Sequence, residues 1–183
     1  MHSLYDHSAY DNLPMLADAG TAFDAKHGRK LIDQFRVLFQ QHNTDRVFGL
    51  ILNHRHFEMR PNERLVEYHG TSVPWNSLHE KTRPSSWLLS EDGDCLPYEF
   101  HYSPDDDADE ESESPSNAEY GEFIKSFNEI LRQNDSLGLF GLCQYPGDDF
   151  KGRVEITEGR ANINLHPDDV CLLNFCFCQG SLC

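Results

Sequence analysis

The sequence lacks any apolar run near the roughly 20 residues that a membrane-spanning helix needs. Its first residues also lack the basic stretch followed by an apolar core that is typical of a secretory signal peptide. Basic side chains are scarce, because 15 Lys and Arg stand against 31 Asp and Glu, a formal net charge of -16. Such a surface repels the phosphates of nucleic acids and of anionic membranes. We therefore expect a cytoplasmic protein that binds neither nucleic acid nor a membrane.

Several catalytic motifs are also missing. There is no phosphate-binding Walker loop, no dinucleotide-binding glycine fingerprint and no Gly-x-Ser-x-Gly elbow. Disulfides rarely persist in the cytosol, so we interpret the cysteines as free thiols or metal ligands. The C-terminal pair Cys176 and Cys178 lies among Phe and Leu without a nearby basic group, which favours core packing over redox chemistry. The six cysteines are Cys95, Cys143, Cys171, Cys176, Cys178 and Cys183.

Length and composition predict one folded domain with an acidic insertion. A chain of 183 residues with 38% hydrophobic residues can bury a core without staples. Residues 105–113 hold seven acidic side chains and no basic one, so we expect a disordered acidic loop over residues 103–117. Residues 1–28 are expected to form an irregular N-terminal arm with one short helix. Residues 29–183 then form the single domain.

Hydrophobic periodicity predicts an α+β fold. Apolar residues three and four apart indicate amphipathic helices, and short apolar or alternating runs indicate strands. Helices are predicted at residues 29–42 and 119–134. Strands are predicted at residues 46–53, 64–68, 86–89, 138–144, 153–157, 161–165 and 170–178, with a further extended piece at residues 73–75.

The two halves of the domain match each other. Residues 29–53 align without a gap on residues 121–145 at an offset of 92, so that Phe35 meets Phe127 and Leu50 meets Leu142. The repeated order is a helix, an Asn or Asp stop, a Phe-Gly-Leu strand, a turn and a Val-Glu strand. We interpret this as an internal duplication with pseudo-repeats at residues 29–90 and 119–183, packed together so that each hides the other's apolar face.

The candidate site lies at the end of the first predicted strand. The apolar run at residues 47–52 turns abruptly into ionisable groups, with His54, His56 and Glu58 two residues apart. Alternate residues of a strand share a face, so these side chains are predicted to converge. Two imidazoles and a carboxylate suit a divalent metal such as zinc, iron or manganese, and His166, His69 or His101 are candidates for a further ligand. Without a metal, the same groups are candidates for general acid–base work.

Two functions from different classes follow from this site and this charge. The first is an intracellular enzyme acting on a small molecule, in which the histidine–carboxylate cluster supplies metal ligands or acid–base groups. The second is a non-catalytic binding or regulatory protein whose acidic surface holds a basic protein partner. The first requires a pocket that reaches His54 and His56 and is excluded if the two side chains lie on opposite faces. The second predicts that these histidines face solvent or are merely structural.

Residues 46–75 carry a resemblance. The pieces His-Arg-His-Phe at 54–57 and Arg-Leu-Val-Glu at 64–67, followed by Val-Pro-Trp at 73–75, resemble a pattern in uncharacterised proteins of filamentous fungi. The resemblance implies a fungal, intracellular origin, brings no activity and carries over no catalytic residue. The enzyme hypothesis extends to fungal secondary metabolism.

Overall fold

The fold is mixed α+β, as predicted. The computed structural model describes residues 7–104, 115 and 117–170 of the chain. These residues form five helices and one curled eight-stranded sheet. The helices are α1 (His7–Asp11), α2 (Leu16–Ala25), α3 (Gly28–Gln41), α4 (Asn117–Gln133) and α5 (Pro167–Val170). The strands are β1 (Phe48–Leu52), β2 (Arg64–Tyr68), β3 (Thr71–Trp75), β4 (Thr82–Leu89), β5 (Cys95–Tyr102), β6 (Phe140–Gln144), β7 (Val154–Glu158) and β8 (Ala161–Leu165).

The strand order across the sheet is β1-β6-β4-β5-β2-β3-β8-β7. Neighbours are antiparallel except β2 and β5, which are parallel. The predicted helices correspond to α3 and α4, and the strands predicted from the apolar runs correspond to β1, β2, β4, β6, β7 and β8. Strand β5 was not predicted, because Pro97 lies inside it and proline removes a hydrogen-bond donor from a sheet.

Helices α3 and α4 pack on one face of the sheet. Their buried residues recur at helical spacing, which gives each helix one apolar stripe. The stripes meet at Phe35 and Phe127, whose rings stack with centroids 4.3 Å apart. Against the stripes pack Trp87 from β4 and alternate residues of β1 and β6. The buried residues that α3 and α4 contribute to this main core are Leu31, Phe35, Leu38, Phe39, Phe123, Ile124, Phe127 and Leu131.

The region expected to be an irregular arm contains two helices that enter the cores. Phe23 of α2 is buried in the main core, where it meets Phe140 edge-on. Tyr10 of α1 is fully buried in a second, smaller core with Leu65, Leu88 and Tyr98. The apolar positions of this segment are too few to give a clear period, so its helices depend on tertiary packing.

Two predicted segments lie largely outside the described residues. The acidic run at residues 105–113 is one of them. The last predicted strand, residues 170–178, is the other, apart from Val170, which ends α5. Among the helices of the described part of the chain, none combines the length and apolar character needed to cross a bilayer.

The sheet surface opposite α3 and α4 carries Leu65 and Leu88 of the second core and, beside them, a row of mostly polar side chains. Directly paired residues share a face, as do alternate residues of one strand. The pairing register therefore traces one continuous surface across six strand junctions, and we call it the polar face. In order across the sheet its residues are Cys143, Ser86, Glu99, His101, Glu67, Ser72, Asn162, Asn164 and Glu155.

A buried ion pair ties the β7–β8 turn to the segment before β2. Glu63 is only 4% exposed, and two guanidinium nitrogens of Arg160 donate hydrogen bonds to its carboxylate. The hydrogen bonds from Arg160 hold the pKa of Glu63 down at about 2. Its stabilisation is therefore complete above pH 4.5 and is lost as the pH falls through about 2.

We expect Arg160→Met to destabilise the fold by about 1–2 kcal/mol, an estimate discounted because Arg160 is partly exposed. Urea unfolding at pH 7 measures the change. Arg36→Met, which removes an exposed ion pair with Asp33, is the matched control and is expected to cost less than about 0.5 kcal/mol. Equal losses in the two variants would contradict a special role for Arg160.

Candidate functional site

His54 and His56 converge just beyond β1. The strand ends at Leu52, yet the backbone stays extended enough for the two rings to meet, with centroids 4.8 Å apart and nearly perpendicular planes. Arg55 points elsewhere and bridges to Met15 through its backbone. Both histidines are buried, at 7% and 6% exposure. The two side chains therefore do not lie on opposite faces. A pocket among the described residues, lined by Asn62, Arg64, Asn76, Ser77 and Leu78, does not include them.

The third member of the cluster comes from β7. Glu155 Oε2 lies 3.0 Å from His54 Nε2. Potential ligand atoms of His54, His56 and Glu155 all lie within 4.8 Å of one another. Two imidazole nitrogens and one carboxylate oxygen form a donor set that zinc, iron(II) and manganese(II) accept. Among the described residues, these three form the one group of at least three side chains that could together hold a metal ion.

Glu99 borders the cluster from β5. Its Oε1 lies 3.6 Å from His56 Nε2, and its Oε2 accepts a hydrogen bond of 3.1 Å from Ser86. Ser86 pairs with Glu99 while the next residue of β4, Trp87, pairs with Pro97, so Tyr98 is an extra residue in β5. Bulges of this kind re-aim side chains. The bulge directs Glu99 onto the polar face beside His56.

The hydrogen bonds of His54 constrain its charge. Its Nδ1 lies 2.8 Å from the Leu52 carbonyl oxygen, while its Nε2 faces Glu155. A neutral imidazole has one N–H donor, yet both nitrogens here face oxygen acceptors. A ring that carries both protons can donate to both oxygen atoms. Burial lowers the pKa of His54, but the hydrogen bond and charge of Glu155 outweigh it and the net pKa is raised.

Glu155 responds in the opposite sense. Burial raises the pKa of its carboxyl group, but the hydrogen bond and charge of His54, with a smaller contribution from His56, lower it overall. Each of the two groups therefore favours the charged form of the other. The nearby Cys143 thiol is different, because burial raises its pKa to about 11 and keeps it protonated. Cys143 is thus not an activated nucleophile.

Two residues predicted for the site lie apart from the cluster. Glu58 is exposed, and its backbone carbonyl accepts a hydrogen bond from Arg160. His166 lies at the start of α5, where its Nδ1 is 3.5 Å from an Asp168 carboxylate oxygen. The chain turns away from β1 geometry after His56, so the spacing of two no longer places Glu58 beside the histidines.

The other candidate histidines also lie elsewhere. His69 is exposed in the β2–β3 turn with a positive φ of 51°. His101 binds Glu67 on the polar face, and Glu67 in turn accepts a hydrogen bond from the Gly70 amide. Neither belongs to the three-residue cluster.

Sequence reasoning missed three residues that shape the site. Glu155 and Glu99 reach His54 and His56 only through strand pairing. No spacing of residues within a short segment could therefore predict them. Tyr10 is the third: its hydroxyl oxygen accepts a hydrogen bond of 3.0 Å from the His56 amide. Burial raises the pKa of Tyr10 well above its usual value, so the hydroxyl stays neutral. A lone tyrosine in a weakly patterned segment gives no signal of this role.

Comparison with protein-family models, with curated proteins and with solved structures gave no match. Function is therefore argued from the geometry of the cluster.

The His54–Glu155 pair predicts a bell-shaped contribution to stability. The raised pKa of His54 means that its stabilisation is complete below pH 6.5 and is lost as the pH rises through the raised value. The lowered pKa of Glu155 means that its stabilisation is complete above pH 4.5 and is lost as the pH falls through the lowered value. The pair therefore stabilises most between pH 4.5 and 6.5.

We expect Glu155→Gln to destabilise the metal-free protein by roughly 1–2 kcal/mol at pH 5.5, and by less at pH 9. Urea unfolding in the presence of a chelator measures both values. Glu158→Gln, which alters an exposed carboxylate on the same strand, is the control. A loss that does not change with pH would contradict the ionic pairing.

Proposed function

We propose that the protein is an intracellular enzyme acting on a small molecule, with a divalent cation held by His54, His56 and Glu155. The observation that carries the proposal is the double acceptor environment of His54, with oxygen atoms facing both ring nitrogens. The Leu52 carbonyl fixes the Nδ1 proton, which leaves the Nε2 lone pair directed into the cluster. This is the arrangement in which a backbone carbonyl commonly orients a metal-binding histidine.

A metal cation can replace the proton that His54 Nε2 would otherwise share with Glu155. When a divalent metal takes the place of the proton on Nε2, His54 is a neutral ligand and Glu155 a charged one. A metal held by two histidines and one carboxylate would have room for a substrate or a water molecule. Zinc there would supply Lewis-acid chemistry that suits hydrolysis, and iron or manganese would suit oxidation.

Glu99 is the acid–base group of this proposal. It lies next to His56 without belonging to the three-residue cluster, and Ser86 orients its carboxylate. A carboxylate held beside the reacting centre by a serine is placed to take a proton from a substrate or a water molecule. The remaining polar face offers hydrogen-bonding side chains such as Ser72 and Asn162, both buried.

We also propose that the two halves arose by duplication. Three contacts support this, since each joins residues that correspond between the halves. Leu50 pairs with Leu142 at the centre of the β1–β6 ladder, and Phe35 stacks on Phe127. The β2–β3 and β7–β8 hairpins correspond at an offset of 90, not at the offset of 88 that the Val-Glu match predicts, and there Ser72 pairs with Asn162.

The helix ends repeat as well. After α3, Asn43 has a positive φ and the Thr44 amide bonds to the Phe39 carbonyl. After α4, Asp135 has a positive φ and the Ser136 amide bonds to the Leu131 carbonyl. The proposed duplication places the site between the halves, because the histidines follow β1 of the first and Glu155 belongs to β7 of the second.

Metal titration of protein purified without a His tag and stripped with a chelator tests the proposal. Calorimetry with Zn²⁺, Mn²⁺ and anaerobic Fe²⁺ is expected to find one equivalent bound, with release of about one proton at pH 6 because the metal displaces the proton of His54. The loaded protein is then assayed on panels of chromogenic esters, phosphates and oxidisable phenols. Absence of binding at 100-micromolar metal would contradict the metal site. Binding without turnover of any panel would contradict the enzyme and favour the binding role.

A further inference from the structure

Five aromatic side chains form a surface patch centred on Tyr102, the last residue of β5. The rings of Tyr68, Trp75 and His79 each have their centroid 5.3 Å from that of Tyr102. His69 extends the patch, with its ring centroid 4.1 Å from that of Tyr68. Tyr68 is 38% exposed and His79 is exposed, while Trp75 and Tyr102 are half-buried. We call these five residues the aromatic patch.

The aromatic patch lies on the side of the sheet opposite the polar face. Strands β2 and β5 pair in parallel, and Glu67 lies opposite His101 on the polar face. The next residues along these strands, Tyr68 and Tyr102, therefore point to the other side of the sheet. Trp75 of β3 joins them there through its ring contact with Tyr102. The patch is thus separate from the histidine–carboxylate cluster, and a ligand bound there goes beyond the proposed function.

A cleft of about 570 Å³ adjoins the aromatic patch. Its lining consists of Asn62, Arg64, Asn76, Ser77 and Leu78. Arg64 lies directly opposite Trp75 in the β2–β3 ladder, and Asn76 follows Trp75 in the chain. The rings of the patch and the polar side chains of the cleft therefore meet at Trp75.

Hydrogen bonds hold the loop between β3 and β4, which supplies His79 to the patch and Asn76 to the cleft. The Thr82 amide donates a hydrogen bond of 2.9 Å to the His79 carbonyl. The Lys81 amide donates a hydrogen bond of 3.2 Å to His79 Nδ1, which keeps the imidazole beside Tyr102. A surface whose groups are already in place loses less conformational entropy when a ligand binds.

The chemistry of the lining selects the class of ligand. The cleft is lined by two amides, one hydroxyl, one guanidinium and one leucine, without a carboxylate, although acidic residues outnumber basic ones by 31 to 15 in the chain. Acidic groups favour the binding of an organic cation, and this lining lacks them. The net charge of -16 opposes a polyanion. A neutral ligand with an apolar face and many hydroxyl groups fits both parts of the surface.

We propose that the aromatic patch and the cleft bind a carbohydrate, a chain of β-1,4-linked pyranose units. A pyranose whose hydroxyls are all equatorial presents a flat face of C–H groups. This face packs on an aromatic ring because apolar area is buried and because the C–H groups are attracted to the negative face of the ring. The hydroxyls lie around the rim of the sugar, where the amides of Asn62 and Asn76 can both donate and accept hydrogen bonds. Trp75 is the central residue, since it contacts Tyr102 and adjoins the cleft.

Calorimetric titration with two pentasaccharides tests the proposal, in buffer with a chelator so that the result does not depend on the metal site. The probes are cellopentaose and chitopentaose, the β-1,4-linked pentamers of glucose and of N-acetylglucosamine. At least one of them is expected to bind with a dissociation constant of about 1 mM or below. Its binding is also expected to shift the fluorescence of half-buried Trp75, because Trp87 is fully buried and does not meet the ligand. Sorbitol, an open-chain polyol without a ring face, is the ligand control and is expected not to bind.

Four variants locate the binding site. Trp75→Ala is expected to raise the dissociation constant about tenfold or more, because central aromatic residues carry much of the binding free energy at such surfaces. Trp75→Phe keeps a ring and is expected to cause a smaller increase. Asn76→Ala changes an exposed loop residue and is expected to raise the dissociation constant about threefold or more through a lost hydrogen bond. Phe150→Ala, which removes an exposed ring outside the patch, is the matched control and is expected to leave the affinity unchanged.

The fluorescence of Trp87 in the main core reports whether each variant is folded. Failure of both pentasaccharides to bind at about 10 mM would overturn the proposal. Binding that neither Trp75→Ala nor Asn76→Ala weakens, equal losses in the Trp75→Ala and Phe150→Ala variants, or sorbitol binding as tight as that of the pentasaccharides would also overturn it.

Discussion

Replacing His56 by alanine is expected to weaken divalent-metal binding by about 100-fold or more. His56 supplies one of the three ligand atoms, and loss of even an outer-shell partner costs about 10–100-fold in metal affinity. The effect on folding should be modest, because the ionic partner that the described residues offer His56, Glu99, is 3.6 Å away. Titration calorimetry with the metal that binds the unaltered protein most tightly measures the loss.

The matched control is His166→Ala. His166 was a predicted ligand, but it lies just before α5, beside Asp168 and outside the cluster. Its removal is expected to change the affinity by less than about twofold, as is that of Glu58. An equal loss in the His56 and His166 variants would show that the metal binds at exposed histidines, and would contradict the proposed site.

The second large effect concerns the main core. Phe127→Ala is expected to destabilise the fold by about 3–5 kcal/mol, because removing a buried phenylalanine costs its transfer free energy and leaves a cavity. Phe127 is fully buried and contacts Phe35, Phe39 and Phe123 with its ring. A domain with about 5–15 kcal/mol of total stability loses a large share of it through this one change.

Urea unfolding followed by tryptophan fluorescence measures this loss, since Trp87 is buried in the same core. Val37→Ala on α3 is the control, because Val37 is 51% exposed and its removal leaves no internal cavity. We expect that variant to change stability by less than about 0.5 kcal/mol. A comparable loss in both variants would contradict the assignment of Phe127 to the centre of the core.

Much of the fold was predictable because its elements have strong local patterns. The apolar stripes of α3 and α4 recur at three and four residues. Strand β2 is a short run in which Leu65 and Val66 are both buried, and it is bounded by a turn on each side. Strand β5 was not predictable in this way, since Pro97 and Glu99 interrupt its apolar pattern and its place between β4 and β2 supplies its partners. Helix α1 was missed because a five-residue segment has no measurable period, and packing of Tyr10 holds it.

The candidate site was predictable in its histidines and not in its carboxylates. His54 and His56 lie two apart after an apolar strand, and that spacing was enough to predict their convergence. Glu58 was expected on the same grounds, but the extended backbone does not continue to it. The carboxylate beside His54 is instead that of Glu155, which lies 101 residues after His54 in the chain.

The sequence by itself determined the α+β class, the two amphipathic helices and the meeting of His54 with His56, because each depends on contacts within one or two turns or strand steps. Tertiary structure alone decided the strand order, the polar face, and the approach of Glu99 and Glu155 to the histidines. The physical reason is that these features depend on which strands pair and where a bulge falls. Such choices are made by the packing of the whole chain.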